Sequence, residues 1–188
     1  IAEWARQAGA AVGVSTSVSV DHATPAAFYA HQSGRGSYYA IGKDLVKAGF
    51  DFYAGSDFLE PTSRKDSTAG SIYEQCAKAG YTIARGYKDF VRKDRTADRM
   101  ILLQTEEANK RSPKALPYAI DRTKADMTLA EVTRAGIAHL TKAKKDGFFL
   151  MVEGGKIDWA CHSNDAATAF YELIDMDKAV QVAYEFYA

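Results

Sequence analysis

The chain has 188 residues, 47% of them apolar, which is enough for one substantial core and one domain. Its 24 basic and 24 acidic side chains cancel, so no long-range field of one sign would steer it towards nucleic acid or a charged membrane surface. No apolar run approaches the ~20 residues that a bilayer span needs, and two cysteines, Cys76 and Cys161, are too few for a disulfide framework.

Residues 1–8 (I-A-E-W-A-R-Q-A) read as the end of an amphipathic helix, with Gly9 as its C-terminal cap. The chain opens without a methionine inside this pattern, and is expected to start within a longer protein. Residues 10–20 alternate β-branched and small residues and predict a strand leading to Asp21 and His22. Thr24-Pro25 predicts a helix start, a hydroxyl cap followed by proline, with the helix over 26–31 and a turn at Ser33-Gly34-Arg35-Gly36. Arg35 lies between two glycines, which leaves its planar fork of donors unobstructed and suited to a pair of phosphate oxygens. His31 is expected to pack or hydrogen-bond within the helix.

A short helix over 42–48 and a buried strand over 50–54 follow, then a polar loop over 57–70. A helix over 71–79, a strand over 81–84, a solvated helix end over 89–94 and a buried strand over 99–104 come next. Residues 105–128 show no clean period and contain Pro113 and Pro117, so they predict a long surface excursion whose Lys110-Arg111 pair is a solvated face. Residues 129–145 predict a helix with Leu129, Val132, Ile137 and Leu140 on its apolar side; His139 has no partner motif. Residues 164–188 predict a long final helix.

Between these last two helices lies F-F-L-M-V-E-G-G-K-I-D-W-A-C-H, residues 148–162. Its five opening apolar residues, 148–152, predict a strand buried within a parallel sheet. Glu153 then stands where that strand ends, at the sheet edge on which open α/β folds keep their sites. Asp158 and His162 are spaced i, i+4, which one turn of helix would set on the same face. An oxygen and an imidazole converging there suit zinc, with Glu153 free to serve a harder ion. Spacing alone leaves other readings open: Asp158 capping a helix, a solvated His162, and Glu153 pairing with Lys156. Cys161 points roughly 100° away from His162 on a helix, so two separate thiols are expected. Strands and helices alternate throughout, without repeat or linker. The expected fold is therefore α/β, a three-layer sandwich with a mainly parallel central sheet, over residues 1–188 as one domain.

The run V-E-G-G-K-I-D-W-A-C-H resembles the metal-binding segment of the alkaline phosphatase family, and residues 22–35 resemble that family's (D/H)-A-T-P-A-x-x-x-A-H-x-x-x-R pattern. The resemblance implies that Glu153 and Thr24 bind magnesium, that Asp158 and His162 bind the first zinc, and that Arg35 grips the substrate phosphate. It implies a role for His22 beside the magnesium site, acting through bound water or phosphate. It puts Trp159 where other members carry lysine or histidine that helps to hold phosphate; an indole, with one donor and no charge, should release it faster. The implied reaction is hydrolysis of small-molecule phosphate monoesters through a phosphoserine, in the periplasm or outside the cell, and a homodimer is compatible with it.

By the same resemblance this chain matches the middle of the family domain. The nucleophilic serine would lie upstream, and the second-zinc Asp-His pair downstream. The isolated chain is then expected to bind zinc weakly and to turn over nothing. A phosphodiesterase or sulfatase-like relative is an alternative, although the A-T-P run with arginine eleven residues on is not theirs. A catalytically inactive structural fragment is another. A nucleotide-binding module, prompted by Gly154-Gly155 after a strand, lacks the glycine fingerprint.

Overall fold

The computed structural model describes residues 1–66, 68–143 and 145–188. Residue 67 of the expected loop and residue 144 of the expected helix lie outside them. In chain order the elements are α1 (Ala2–Gln7), β1 (Ala11–Thr16), α2 (Ala23–Ala26), α3 (Tyr38–Ala48), β2 (Phe52–Gly55), α4 (Ile72–Lys78), β3 (Tyr81–Arg85), α5 (Tyr87–Lys93), β4 (Arg99–Leu103), α6 (Glu106–Arg111), α7 (Leu129–Lys142), β5 (Phe148–Glu153), α8 (Lys156–His162) and α9 (Ala166–Tyr187).

The five strands form one sheet in the order β3-β4-β2-β1-β5, and every neighbouring pair is parallel. Successive side chains of a strand point to opposite faces, and each face builds its own core. Val12, Val14, Tyr53, Ile101 and Leu103 pack with Ala2, Ile41, Leu45 and Ile72 from α1, α3 and α4. Ala11, Phe52, Ala54, Met100 and Leu102 pack with Phe90, Leu129, Val132, Leu140 and Ala179 from α5, α7 and α9. The expected three-layer α/β sandwich is thus the observed one.

Close approach of α7 to the sheet depends on two missing side chains. A Cβ on Gly13 would stand 2.9 Å from both Leu140 and Leu150, and one on Gly136 would stand 3.0 Å from Leu150 and 3.2 Å from Phe52. Both glycines let helix and strand backbones pack together.

Several expectations are corrected. β5 is an edge strand of this sheet, with half-buried residues throughout, instead of a strand buried on both sides. Its apolar run does cover two faces, Phe149 and Met151 packing on one core and Phe148, Leu150 and Val152 on the other, but among the described residues only β1 pairs with it. The helix expected over 26–31 is α2, and His22, not Thr24, precedes its first turn. Pro25 needs no N–H anywhere in a first turn, so it does not fix which residue is the cap. His31 consequently falls outside the helix, where its backbone N–H donates to Asp44 Oδ2 at 3.0 Å. The excursion over 105–128 contains α6, capped by Thr105, whose hydroxyl accepts from the Ala108 amide at 3.2 Å. Its Arg111 is not simply solvated, because it pairs with the buried Asp126. His139 is a core residue, with Nδ1 2.5 Å from Asp94 Oδ1 and its ring packed on Phe52. The expectation of two separate thiols holds: Cys76 is free and buried, Cys161 free and exposed.

Candidate functional site

The carboxyl edge of β1 and β5 carries the site. The two strands run in register so that Thr16 and Glu153, each the last residue of its strand, are partners. The Thr16 hydroxyl donates to Glu153 Oε2 at 2.5 Å and accepts from the Val18 amide at 3.0 Å. One carboxylate oxygen is thereby fixed, and the other lies on the Gly155 side. The space beside it is kept by Gly155, where a Cβ would lie 3.1 Å from Glu153 Cδ and Oε1 and 3.0 Å from Val18. A clear carboxylate oxygen of this kind could serve a hard cation. Thr16 was not legible as a site residue, since only strand register brings it to Glu153.

After β1 the chain turns through a run of buried polar residues, Ser17, Ser19 and Asp21. Asp21 Oδ2 accepts from the Leu59 amide at 2.9 Å, which ties this turn to the loop beyond β2. Burial raises the Asp21 pKa to about 6, against the lowering effect of that bond. His22 follows and sits at the hub. Its Nε2 lies 3.4 Å from an Arg35 guanidinium nitrogen, and the Trp159 ring meets the imidazole edge-on at 5.6 Å. Burial, then the Arg35 charge, lowers the His22 pKa, while Glu153 and Asp158 act in the opposite sense. A neutral ring can accept from the arginine.

Asp158 and His162 lie in the first and last turns of α8, each at the end where the helix dipole favours its charge. Asp158 Oδ1 and His162 Nε2 are 3.4 Å apart and both side chains are largely exposed. An oxygen and an imidazole nitrogen are donors that zinc accepts, and the separation of this pair is compatible with both reaching one ion. Among the described residues no three His, Cys, Asp or Glu side chains converge on one point. The pair therefore leaves tetrahedral positions for other ligands. Of the other readings of this segment, a solvent-exposed His162 agrees with the structure, and two do not. Asp158 is not the N-cap of α8, which is Gly155, and Lys156 is buried against Glu172, at 2.9 Å, instead of pairing with Glu153.

The sequence-predicted residues do not all gather equally. His22, Arg35 and Trp159 meet, with Asp158 on the helix that carries Trp159 and Glu153 at the strand end just before that helix. His162 joins them through Asp158. Thr24 is exposed on the short α2, which packs against β1 and β5, and the hydroxyl that meets Glu153 is that of Thr16. Next to His22 and Trp159 opens a cleft of about 390 Å³, lined also by Tyr38, Leu59, Glu60, Arg64 and Lys114.

The alkaline phosphatase family model matches residues 1–53 and 63–188. Among curated relatives, alkaline phosphatase 3 of Bacillus subtilis (strain 168) is 33% identical over 99% of this chain and 38% of its own length. The human tissue-nonspecific isozyme of alkaline phosphatase is 28% identical over 96% of this chain and 40% of its own. Among solved structures, alkaline phosphatase from the Antarctic bacterium TAB5 superposes with a TM-score of 0.84 at 32% identity, covering 99% of this chain and 51% of that one. A histidine variant of the TAB5 enzyme, solved with magnesium bound, gives 0.82 at 28% identity, covering 99% and 50%. The Thermus thermophilus enzyme gives 0.83 at 30% identity, covering 98% and 37%. The chain spans about 38% of the length of the first of these curated relatives. On this match in sequence, fold and order of motifs, the chain belongs to the alkaline phosphatase family.

Proposed function

We propose that this chain is the metal- and phosphate-holding portion of a phosphomonoesterase. Asp158 and His162 would hold zinc, and Glu153 with Thr24 would hold magnesium. Arg35 binds the phosphate. The observation that carries the reading is the grouping around His22: Arg35 at 3.4 Å and Trp159 at 5.6 Å, on the same edge as the 3.4 Å Asp158–His162 pair.

Bound divalent ions supply Lewis-acid stabilisation of phosphoryl oxygens and a water acidic enough to attack near neutral pH. The chain's own residues do the rest. Arg35 offers two parallel donors to a pair of phosphate oxygens, a geometry that an ammonium cannot reproduce. His22, held neutral by its surroundings, accepts from the guanidinium and keeps that fork from swinging to solvent. Thr16 fixes the orientation of Glu153 by donating to Oε2. Trp159 walls the phosphate from water with an apolar ring carrying one donor. Donors oriented before the substrate arrives need no reorganisation as charge develops.

The reading extends to small phosphate monoesters as substrates and to a periplasmic or extracellular setting, which the family suggests. Among the described residues no helix is long and apolar enough to cross a membrane. The nucleophilic serine and the second-zinc ligands would come from other parts of the complete enzyme. Two assays test this. In the complete enzyme, Arg35→Ala should lower kcat/KM for an aryl phosphate by about 10²–10³. The isolated chain, supplied with zinc and magnesium, should release no phosphate. Arginine-dependent turnover by the isolated chain, or a complete enzyme indifferent to Arg35→Ala, would overturn the assignment.

A further inference from the structure

Residues 113–122 cross the carboxyl edge of the sheet and are tied down at both ends of the site. At one end the Leu116 amide donates to the Ser17 carbonyl at 2.8 Å, and Ala115 bridges Val18, the residue that touches Gly155. At the other end the segment meets α8 and α9 through charge. Lys156, 1% exposed, donates from Nζ to the Pro117 carbonyl at 2.8 Å and to Glu172 Oε1 at 2.9 Å, with the Tyr118 ring 5.2 Å away. The same Glu172 oxygen accepts from the Ala119 amide at 2.6 Å. Three residues on, Arg122 grips Asp175 through two bonds of 2.8 and 2.7 Å.

Lys156 is the first residue of α8 and lies two before Asp158. A fully buried ammonium is costly unless its partners are fixed, and here they are a strap carbonyl and an α9 carboxylate. Such a pair adds little net stability but permits one arrangement only. We propose that Lys156 is a positioning residue: its bonds to Pro117 and Glu172 clamp the 113–122 strap against α8 and set the rotation that presents Asp158 and His162 together.

The clamp thus gives the 105–128 excursion a task, bracing the candidate zinc pair from behind. This rests on the zinc reading above, but the brace has a readout of its own. Replacing the pair by Lys156→Met with Glu172→Leu keeps the volume apolar, a change that at other buried pairs is neutral or stabilising. It also strands the Pro117 carbonyl and the Ala119 amide. In the isolated chain, zinc binding followed by the His162 imidazole resonances should weaken about tenfold or more. Amide hydrogen exchange at Tyr118, Ala119 and over 157–162 should accelerate with it. Glu172→Gln, which keeps the shape and removes the charge, should move both in the same direction. Leu45→Ala, a core truncation in the opposite layer, should lower the melting temperature and leave zinc affinity unchanged. Unchanged exchange and affinity in the double variant would overturn the proposal, as would an equal loss of zinc in Leu45→Ala. If the parent chain takes up no zinc, the zinc reading fails, and the exchange rates alone then decide whether the clamp exists.

Discussion

Asp21→Asn should remove a pH-dependent penalty from the fold. Asp21 is fully buried, one oxygen accepts from the Leu59 amide at 2.9 Å, and the other has no partner among the described residues. Burial therefore dominates and lifts the pKa from 3.8 to about 6. Between those values the native state binds more protons than the unfolded chain, so stability falls as pH rises. The contribution is fully present below 3.8 and is lost as pH passes through about 6. At about 1.4 kcal/mol per pH unit, the gap amounts to about 3 kcal/mol. Asparagine keeps an oxygen for the Leu59 amide and carries no charge at any pH. Urea unfolding of both proteins at about pH 4, 5, 6 and 7, without added metal, measures the difference directly. Comparing the two cancels carboxylates that shift the other way, such as Asp89, which burial pushes up but which bonds from Lys93, the Arg85 amide and Arg92 together hold at about 2. The variant should gain on the parent by about 2.4 kcal/mol between about pH 4 and 7, most of that gap. Parallel curves would refute the reasoning.

Three further outcomes follow from particular contacts. Gly136→Ala forces a methyl within 3.0 Å of Leu150 and should cost about 1–3 kcal/mol in urea unfolding, with α7 displaced from β5. An unchanged midpoint would mean that Leu150 yields freely. Gly155→Ala brings a methyl to 3.1 Å from the Glu153 carboxylate; it should weaken magnesium binding, read by calorimetry, more than it lowers stability. Equal magnesium affinity would argue that Glu153 faces elsewhere. In the complete enzyme Trp159→Lys adds a charge beside His22 and should tighten inhibition by inorganic phosphate; no tightening would count against a phosphate at that position.

What was legible in the sequence was local. The i, i+4 spacing of Asp158 and His162 needs only a helix to become a donor pair, and α8 supplies it. Near-continuous apolar runs in β2 and β4, with the small and β-branched residues of β1, foretold the two cores, because a parallel sheet covered on both faces demands them. What was not legible depends on partners distant in the chain. Thr16 meets Glu153 only through strand register across 137 residues. Lys156 looked like a surface neighbour of Glu153, and its burial against Pro117 and Glu172 follows from where the strap crosses. The apolar run of β5 correctly marked two packed faces, but it could not show that among the described residues the strand lies at the sheet edge, which leaves its residues half-buried.

The central claim is that Asp158 and His162 form a metal-ready pair on the edge where His22 holds Arg35. Titrating the isolated chain with zinc, while following the His162 imidazole by NMR, tests it most directly. One saturable site, lost in Asp158→Ala and in His162→Ala and retained in Cys161→Ser, is the predicted result. Zinc uptake unchanged by either removal, or transferred to Cys161, would contradict the account.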